Sequence, residues 1–187
     1  MKNTKLKTVI SSNLTKSILI SLGATALIGT ILIFPGLVYI IREFEKNQYK
    51  TKYVKRALRT LEKQELISVK ELADGSVEIT ITDKGKRKVS SYQIEDMKVT
   101  KPAKWDKKWR VIVFDIPEAK KASREAFRRK LQNLDFHRLQ KSVFVYPYPC
   151  KKEVDFLKHY FDVANNITYI VATDIDTKNR LLDKFGL

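Results

Sequence analysis

The order of apolar and polar positions divides the chain into three kinds of stretch. Residues 17–41, SILISLGATALIGTILIFPGLVYII, contain no charged side chain. A helix of that length would cross a bilayer, which needs roughly 20 apolar residues. Lys2, Lys5, Lys7 and Lys16 precede the run, and Arg42 and Lys46 follow it. No small-x-small cleavage pattern is present, so an inserted run would be an uncleaved anchor. The basic residues that closely follow it would leave the C-terminal part cytosolic. Pro35-Gly36 opens a second reading, because proline disrupts a helix interior and disfavours helix in the residue before it. The run would then form one helix near 15–34 and another near 36–46, the start of a helix-turn-helix. A soluble helix needs a polar face, however, and 18–34 offers only Ser21, Thr25 and Thr30. Both readings stay open.

Residues 50–92 are periodic. In KTKYVKRALRTLEKQEL, Val54, Ala57, Leu58 and Leu61 recur at the spacing of a helix face. Lys52, Lys55, Arg56, Arg59 and Lys63 lie mostly off that stripe, and Thr51 is placed to cap it. In ISVKELADGSVEITITDKG, Ile67 and Val69, then Val77, Ile79 and Ile81, alternate with polar residues around Asp74-Gly75, a strong hairpin signal. Thr82-Asp83-Lys84-Gly85 reads as the end of the second strand. A basic amphipathic helix followed by a hairpin is the layout of a winged helix, whose helix enters the major groove while the hairpin touches phosphates.

Residues 93–104 are polar, contain Pro102, and read as a linker. Beyond them, Arg110–Ile116 is apolar on both faces, as in a central strand. Pro117-Glu118 suits a helix start, with Phe127, Leu131 and Leu134 inward and Lys120, Lys121, Arg124, Arg128 and Arg129 largely outward. Strands follow at Arg138–Gln140 and Val143–Tyr146, a helix at Lys151–Phe161, a strand at Ile167–Thr173 and a short helix at Lys178–Phe185. The order βαββαβ is the ferredoxin-like pattern.

The formal net charge is +16 over 187 residues. It is +4 over residues 1–41, +6 over 42–104 and +6 over 105–187, so the positive field is spread along the chain. Such a field favours a polyanion, nucleic acid or an anionic membrane face. Cys150 is the single cysteine, which excludes an internal disulfide and a thiolate zinc cluster and suits a reducing cytosol. His137 and His159 are the two histidines. They lack zinc-ligand spacing, although either could join Asp115 at a metal. Trp105 and Trp109 could stack on bases, but Trp109 beside an apolar strand reads as core.

The WRVIVFDIPE run, the Arg- and Lys-rich helix and LQKSVFVYPY together resemble the CRISPR-associated Cas-two-like domain. They are closest to its form in the centre of PaaX-like transcriptional repressors. The resemblance covers about 105–187, and a winged segment at 50–92 is consistent with it. It implies a DNA-binding, repressor-like regulator that acts on duplex DNA as a homodimer, with no cofactor required. In the endonuclease relatives, an acid at the end of the first strand is proposed to hold a divalent metal across a dimer, and Asp115 occupies that position. The alternative function is therefore a Mg²⁺-dependent nuclease related to CRISPR spacer acquisition. Gln140, Lys141 and Ser142 resemble the family's motif between its second and third strands. The expected class is α+β: an apolar N-terminal helical segment at 1–46, a winged-helix part at 47–92, a linker at 93–104 and a ferredoxin-like domain at 105–187. The protein is expected in the cytoplasm, or anchored in a membrane through residues 17–41 with its nucleic-acid-binding part in the cytosol.

Overall fold

A computed structural model describes residues 13–24, 32–34, 51–74 and 76–187. The chain forms two units, Met1–Glu95 and Asp96–Leu187. Both are α+β with antiparallel sheets.

The first unit opens with helix α1 over 13–24, followed by strand β1 (Leu32–Phe34), helix α2 (Thr51–Lys63), strands β2 (Ile67–Glu71) and β3 (Val77–Ile81), and helix α3 (Asp83–Asp96). The three strands are ordered β1-β3-β2. This corrects the reading of 17–41 as one apolar helix, and of 15–34 as a helix, since Leu32–Phe34 pair with Val77–Ile79 as a strand. A short apolar run with a β-branched residue fits either state, and here cross-strand pairing decides it. Residues 25–31 and 35–50 lie outside the described residues, and with them the second helix expected near 36–46. Among the described residues no helix is long and apolar enough to cross a membrane. In α1 the buried positions Leu14, Ile18 and Leu19 form one stripe, while Asn13, Ser17 and Ser21 are exposed at four-residue intervals. That polar face begins at Asn13, ahead of the apolar run, so a window opened at residue 18 keeps only Ser21 of it.

The stripe expected on α2 is its buried face: Val54, Ala57 and Leu61 are fully buried and Leu58 nearly so. Burying each Val or Leu side chain is worth about 1.5–3 kcal/mol. They join Ile67, Val77, Ile79 and Val89 in one core. Glu65 adopts a left-handed conformation (φ 58°) where α2 ends, and the N–H of Leu66 donates to the carbonyl of Leu61 at 2.9 Å. This closes the helix as a Schellman motif.

The segment read as the end of the hairpin begins α3 instead. Thr82 Oγ1 accepts the N–H of Gly85 at 3.0 Å and donates to the carbonyl of Glu65 at 2.6 Å. The threonine therefore caps the new helix and ties it to the end of α2. Gly85 sits where a Cβ would lie 2.0 Å from the carbonyl oxygen of Leu66, so only glycine fits. As α3 runs to Asp96, the first four residues of the segment read as a linker are helical.

In the second unit, β4 (Trp109–Phe114) leads through a 3₁₀ turn (Glu118–Lys120) into α4 (Lys121–Asn133). Then come β5 (His137–Gln140), β6 (Val143–Tyr146), α5 (Lys151–Tyr160), β7 (Ile167–Ala172) and α6 (Lys178–Phe185). The sheet order is β5-β6-β4-β7, antiparallel throughout. This is the arrangement of a split βαβ ferredoxin-like fold. On one face Phe114 meets Phe127 of α4 edge-on at 5.4 Å and stacks near Phe144 at 6.0 Å. On the other, Trp109 and Val145 pack with Leu181 of α6.

Trp105 and Arg110 pin the entry to β4. The Arg110 guanidinium, 5% exposed, donates to Asp106 Oδ1 and to the carbonyls of Lys108 and Pro147, each at 2.7 Å, and to Asp106 Oδ2 at 2.5 Å. Trp105 Nε1 donates to the Pro147 carbonyl at 2.9 Å. Trp109 is fully buried, 4.9 Å from Trp105 between ring centres. Both rings thus serve the fold, as the core reading of Trp109 anticipated.

Candidate nucleic-acid interface

All five cations expected on α2, Lys52, Lys55, Arg56, Arg59 and Lys63, are exposed. Their spacings of three, one, three and four residues keep them within about 100° of the helix circumference, on one side. With Thr60 and Gln64 they line an open depression of about 690 Å³. Lys52 Nζ lies 5.5 Å from the centre of the Tyr53 ring. None of the five is ion-paired with a carboxylate among the described residues. The buried stripe opposite holds the helix against the sheet and leaves this side to solvent.

The other basic helix is different. On and just before α4, Lys120 reaches Asp162 at 2.7 Å, Arg124 reaches Glu118 at 2.8 Å, and Arg128 reaches Glu125 at 2.7 Å. Lys121 lies 3.4 Å from Glu118. Hydrogen bonding to Arg124 holds the Glu118 carboxyl below the usual carboxylate range, and the same bond raises Arg124. The side chains of Arg124 and Arg128 are only 18% and 13% exposed, so "largely outward" holds for Lys121 and Arg129 but not for these two. Ion pairs among exposed groups are individually weak, but three acids, Glu118, Glu125 and Asp162, engage four of the six cations between Lys120 and Lys130, with Arg129 exposed beside them.

The β2–β3 hairpin is not basic at its tip. Glu71 and Asp74 are exposed there, and Lys70 stands opposite Glu78. Asp74 accepts the N–H of Ser76 at 2.9 Å and its hydroxyl at 2.5 Å, which holds its carboxyl below the usual range. Gly75 lies outside the described residues. The sequence also did not disclose Arg87 and Lys88, exposed on α3. Lys88 sits over the Tyr92 ring at 4.8 Å. The signal that could have found this helix was Thr82 as a cap with Asp83 in its first turn.

The second unit has a recognisable pattern: an antiparallel β5-β6-β4-β7 sheet, two helices on one face, and an acid directly after the first strand. Residues 102–181 match the family model described as the PaaX protein central Cas2-like domain. This unit is similar to the Cas2-like central domain of PaaX proteins. No curated protein matches the chain. Within the Cas2-like unit, Asp115 follows β4 with its side chain exposed. Its backbone is fixed by two bonds with Asn166: N–H to the Asn166 carbonyl at 2.9 Å, and Asn166 Nδ2 to the Asp115 carbonyl at 2.9 Å. The carboxylate caps no helix, since the residue before the 3₁₀ turn is Pro117 and no side-chain cap is made there. Among the described residues no three His, Cys, Asp or Glu side chains gather, so His137 and His159 do not join Asp115 in a ligand set. A hard cation such as Mg²⁺ can be held by one or two carboxylates with substrate phosphates, and one chain offers one carboxylate here. The donor set of one chain alone does not complete a metal site. Gln140, Lys141 and Ser142 form the β5–β6 turn, where the Ser142 carbonyl accepts the N–H of Phe114 at 3.0 Å and β5 is irregular between Arg138 and Gln140.

Proposed function

We propose that the chain is a DNA-binding transcriptional regulator whose first unit is a winged helix with α2 as the recognition helix. The observation that carries this is the set of five cations, unpaired among the described residues, on one side of a helix anchored by its opposite, buried stripe. The order helix, strand, helix, hairpin with a β1-β3-β2 sheet supports the winged-helix reading. The PaaX-like second unit supports a regulatory role, and its proposed part is to join two copies so that two recognition helices meet two half-sites. The acidic tip supports phosphate contact by α2 rather than by the hairpin. No cofactor is required by this reading, and it acts in the cytoplasm. The test is a titration of duplex DNA by fluorescence anisotropy at several salt concentrations. Binding that weakens steeply with salt supports the reading, whereas no binding at low salt removes it.

A second reading, a Mg²⁺-dependent nuclease, is favoured by the exposed and unpartnered Asp115 carboxylate. It requires DNA cleavage that is lost in Asp115→Ala while DNA binding persists.

A further inference from the structure

The second unit carries its own group of unpaired cations, on the side where α6 and edge strand β5 come together. Arg180 and Lys184 are exposed and one turn apart on α6, flanking its buried Leu181. Arg138 of β5 is exposed as well. Its Nε donates to the Gln140 carbonyl at 3.3 Å, and among the described residues its two terminal nitrogens have no partner. His137 stands at the centre of the group. It borders two open depressions, one of about 400 Å³ walled by Arg138 and Arg180, the other of about 440 Å³ walled by Arg138 and Lys184. Burial first, and then the fields of Arg180 and Lys184, hold its imidazole below the usual range. Both cations are therefore close enough to act on the ring.

This arrangement works against the fold. Like charges four residues apart destabilise a helix, and a third cation is brought to them from β5. Four acids stand nearby, yet among the described residues none is ion-paired with Arg138, Arg180 or Lys184. Asp135 is taken by Lys101 at 3.9 Å. Asp183 lies on α6 itself and pairs with neither neighbour. Asp174 and Asp176 border the first depression but not the second. The surplus positive charge is therefore centred towards Arg138 and Lys184, and an anion placed there would relieve the repulsion.

We infer that the second unit makes a DNA contact of its own, in which Arg138, Arg180 and Lys184 hold backbone phosphates along the β5–α6 side. The donors suit that ligand. Arginine presents a planar fork that matches phosphate oxygens, and lysine adds a point charge. Gln140 and Thr177, on the wall of the first depression, are neutral donors of the kind phosphates also accept. Two adjoining depressions that share Arg138 fit a chain of phosphates better than one isolated anion. The inference rests on the DNA-binding reading above and extends it beyond α2, to which these contacts would add.

Anisotropy titrations of the full chain on duplex DNA test this, with Arg138→Gln plus Lys184→Gln as the variant. Both side chains are exposed, so the circular dichroism spectrum and melting temperature should not change. Losing two phosphate contacts should make the salt slope shallower by about 1.8, so that the fall in affinity between 50 and 200 mM salt is roughly 12-fold smaller. Arg180→Gln alone should make it shallower by about 0.9. A second measurement reads the site directly: by NMR, His137 should titrate at higher pH in the DNA complex, with His159 as the internal reference. An unchanged slope in the folded variants, or a His137 that DNA does not move, overturns the inference; if Arg56→Gln plus Arg59→Gln still lowers the slope, the regulator reading survives that failure. A His137 shift of the same size with inorganic phosphate alone, at concentrations comparable to those of the DNA, would also overturn it, as the site would then serve a free anion. The opposite result, a shallower slope here and an α2 variant that binds like wild type, would remove α2 as the recognition helix and leave this contact standing.

Discussion

Neutralising two of the α2 cations, Arg56→Gln with Arg59→Gln, should change how DNA affinity depends on salt by a calculable amount. Each phosphate contacted by a cation adds about 0.9 to the slope of log affinity against log salt on B-form DNA. If all five α2 cations contact phosphates, one protomer has a slope near −4.5 by that rule, and its affinity falls roughly 500-fold between 50 and 200 mM salt. The double variant retains three contacts, a slope near −2.7 and a fall of roughly 40-fold on the same rule. Both side chains are exposed and the buried stripe is untouched, so the fold should persist. Anisotropy titrations at four or five salt concentrations give the slope directly, and a second duplex of unrelated sequence should give the same difference, as phosphate contacts carry no sequence information. Lys120→Gln is the matched control, because its ammonium is already paired with Asp162 at 2.7 Å. An unchanged slope in the double variant, or an equal change in Lys120→Gln, would refute the argument that free rather than total charge sets the binding face.

Three further outcomes follow from the packing. Gly85→Ala places a methyl group 2.0 Å from the Leu66 carbonyl and 2.7 Å from Ile81 Cγ1, an overpacking that should cost about 3 kcal/mol; an unchanged urea midpoint for the first unit would contradict it. Asp106→Ala removes the carboxylate from a buried guanidinium that keeps two backbone carbonyls, and because Asp106 is 42% exposed the loss should be at the low end for a charged hydrogen bond, about 1.5 kcal/mol. Since the Arg110 hydrogen bond lowers the Asp106 carboxyl, its stabilisation is present above the unfolded value near 3.9 and lost as pH falls through the lower folded value; acid titration of wild type and variant should therefore converge below about pH 4. Cys150, 1% exposed and with its thiol pushed up to about 12 by burial, should react with a disulfide reagent at pH 8 only after denaturation; rapid labelling of the folded protein would show that the thiol is open.

The second unit was legible almost element by element. Its strands alternate or run continuously apolar, and Pro117, Pro147 and Pro149 stand just outside them, so period and punctuation agree. The β4 strand ends at Phe114 rather than Ile116. The first unit was half legible. The α2 stripe and hairpin were read because their partners lie close in sequence. The strand Leu32–Phe34 was not, because its partner is β3, some 45 residues further on, and apolar tripeptides have no period of their own. Helix α3 was missed because Thr82-Asp83-Lys84-Gly85 satisfies turn chemistry as well as capping; the choice was made by the Glu65 carbonyl, which accepts the Thr82 hydroxyl, and the Leu66 carbonyl, which leaves no room for a Cβ at Gly85.

Charge was the least legible property, for a physical reason that also ranks the two candidate sites. Net charge gives the same +6 for residues 42–104 and 105–187, yet the useful quantity for a polyanion is cationic charge without a carboxylate beside it. On α2 five cations share the helix with one acid, Glu62, which is exposed and pairs with none of them. Around α4, Glu118 and Glu125 stand three residues before Lys121 and Arg128, a spacing that brings side chains together on a helix, and Asp162 arrives on Lys120 from 42 residues away. The local pairs could be read from spacing and the distant one could not. Asp115 is the converse case: an anion left unpaired in a chain of surplus cations, held by its backbone and not by its carboxylate. An exposed, unpaired carboxylate repels phosphate unless a cation intervenes, and a single chain supplies one ligand for such a cation. On this ground the proposed DNA-binding function rests on α2 and not on the strand end.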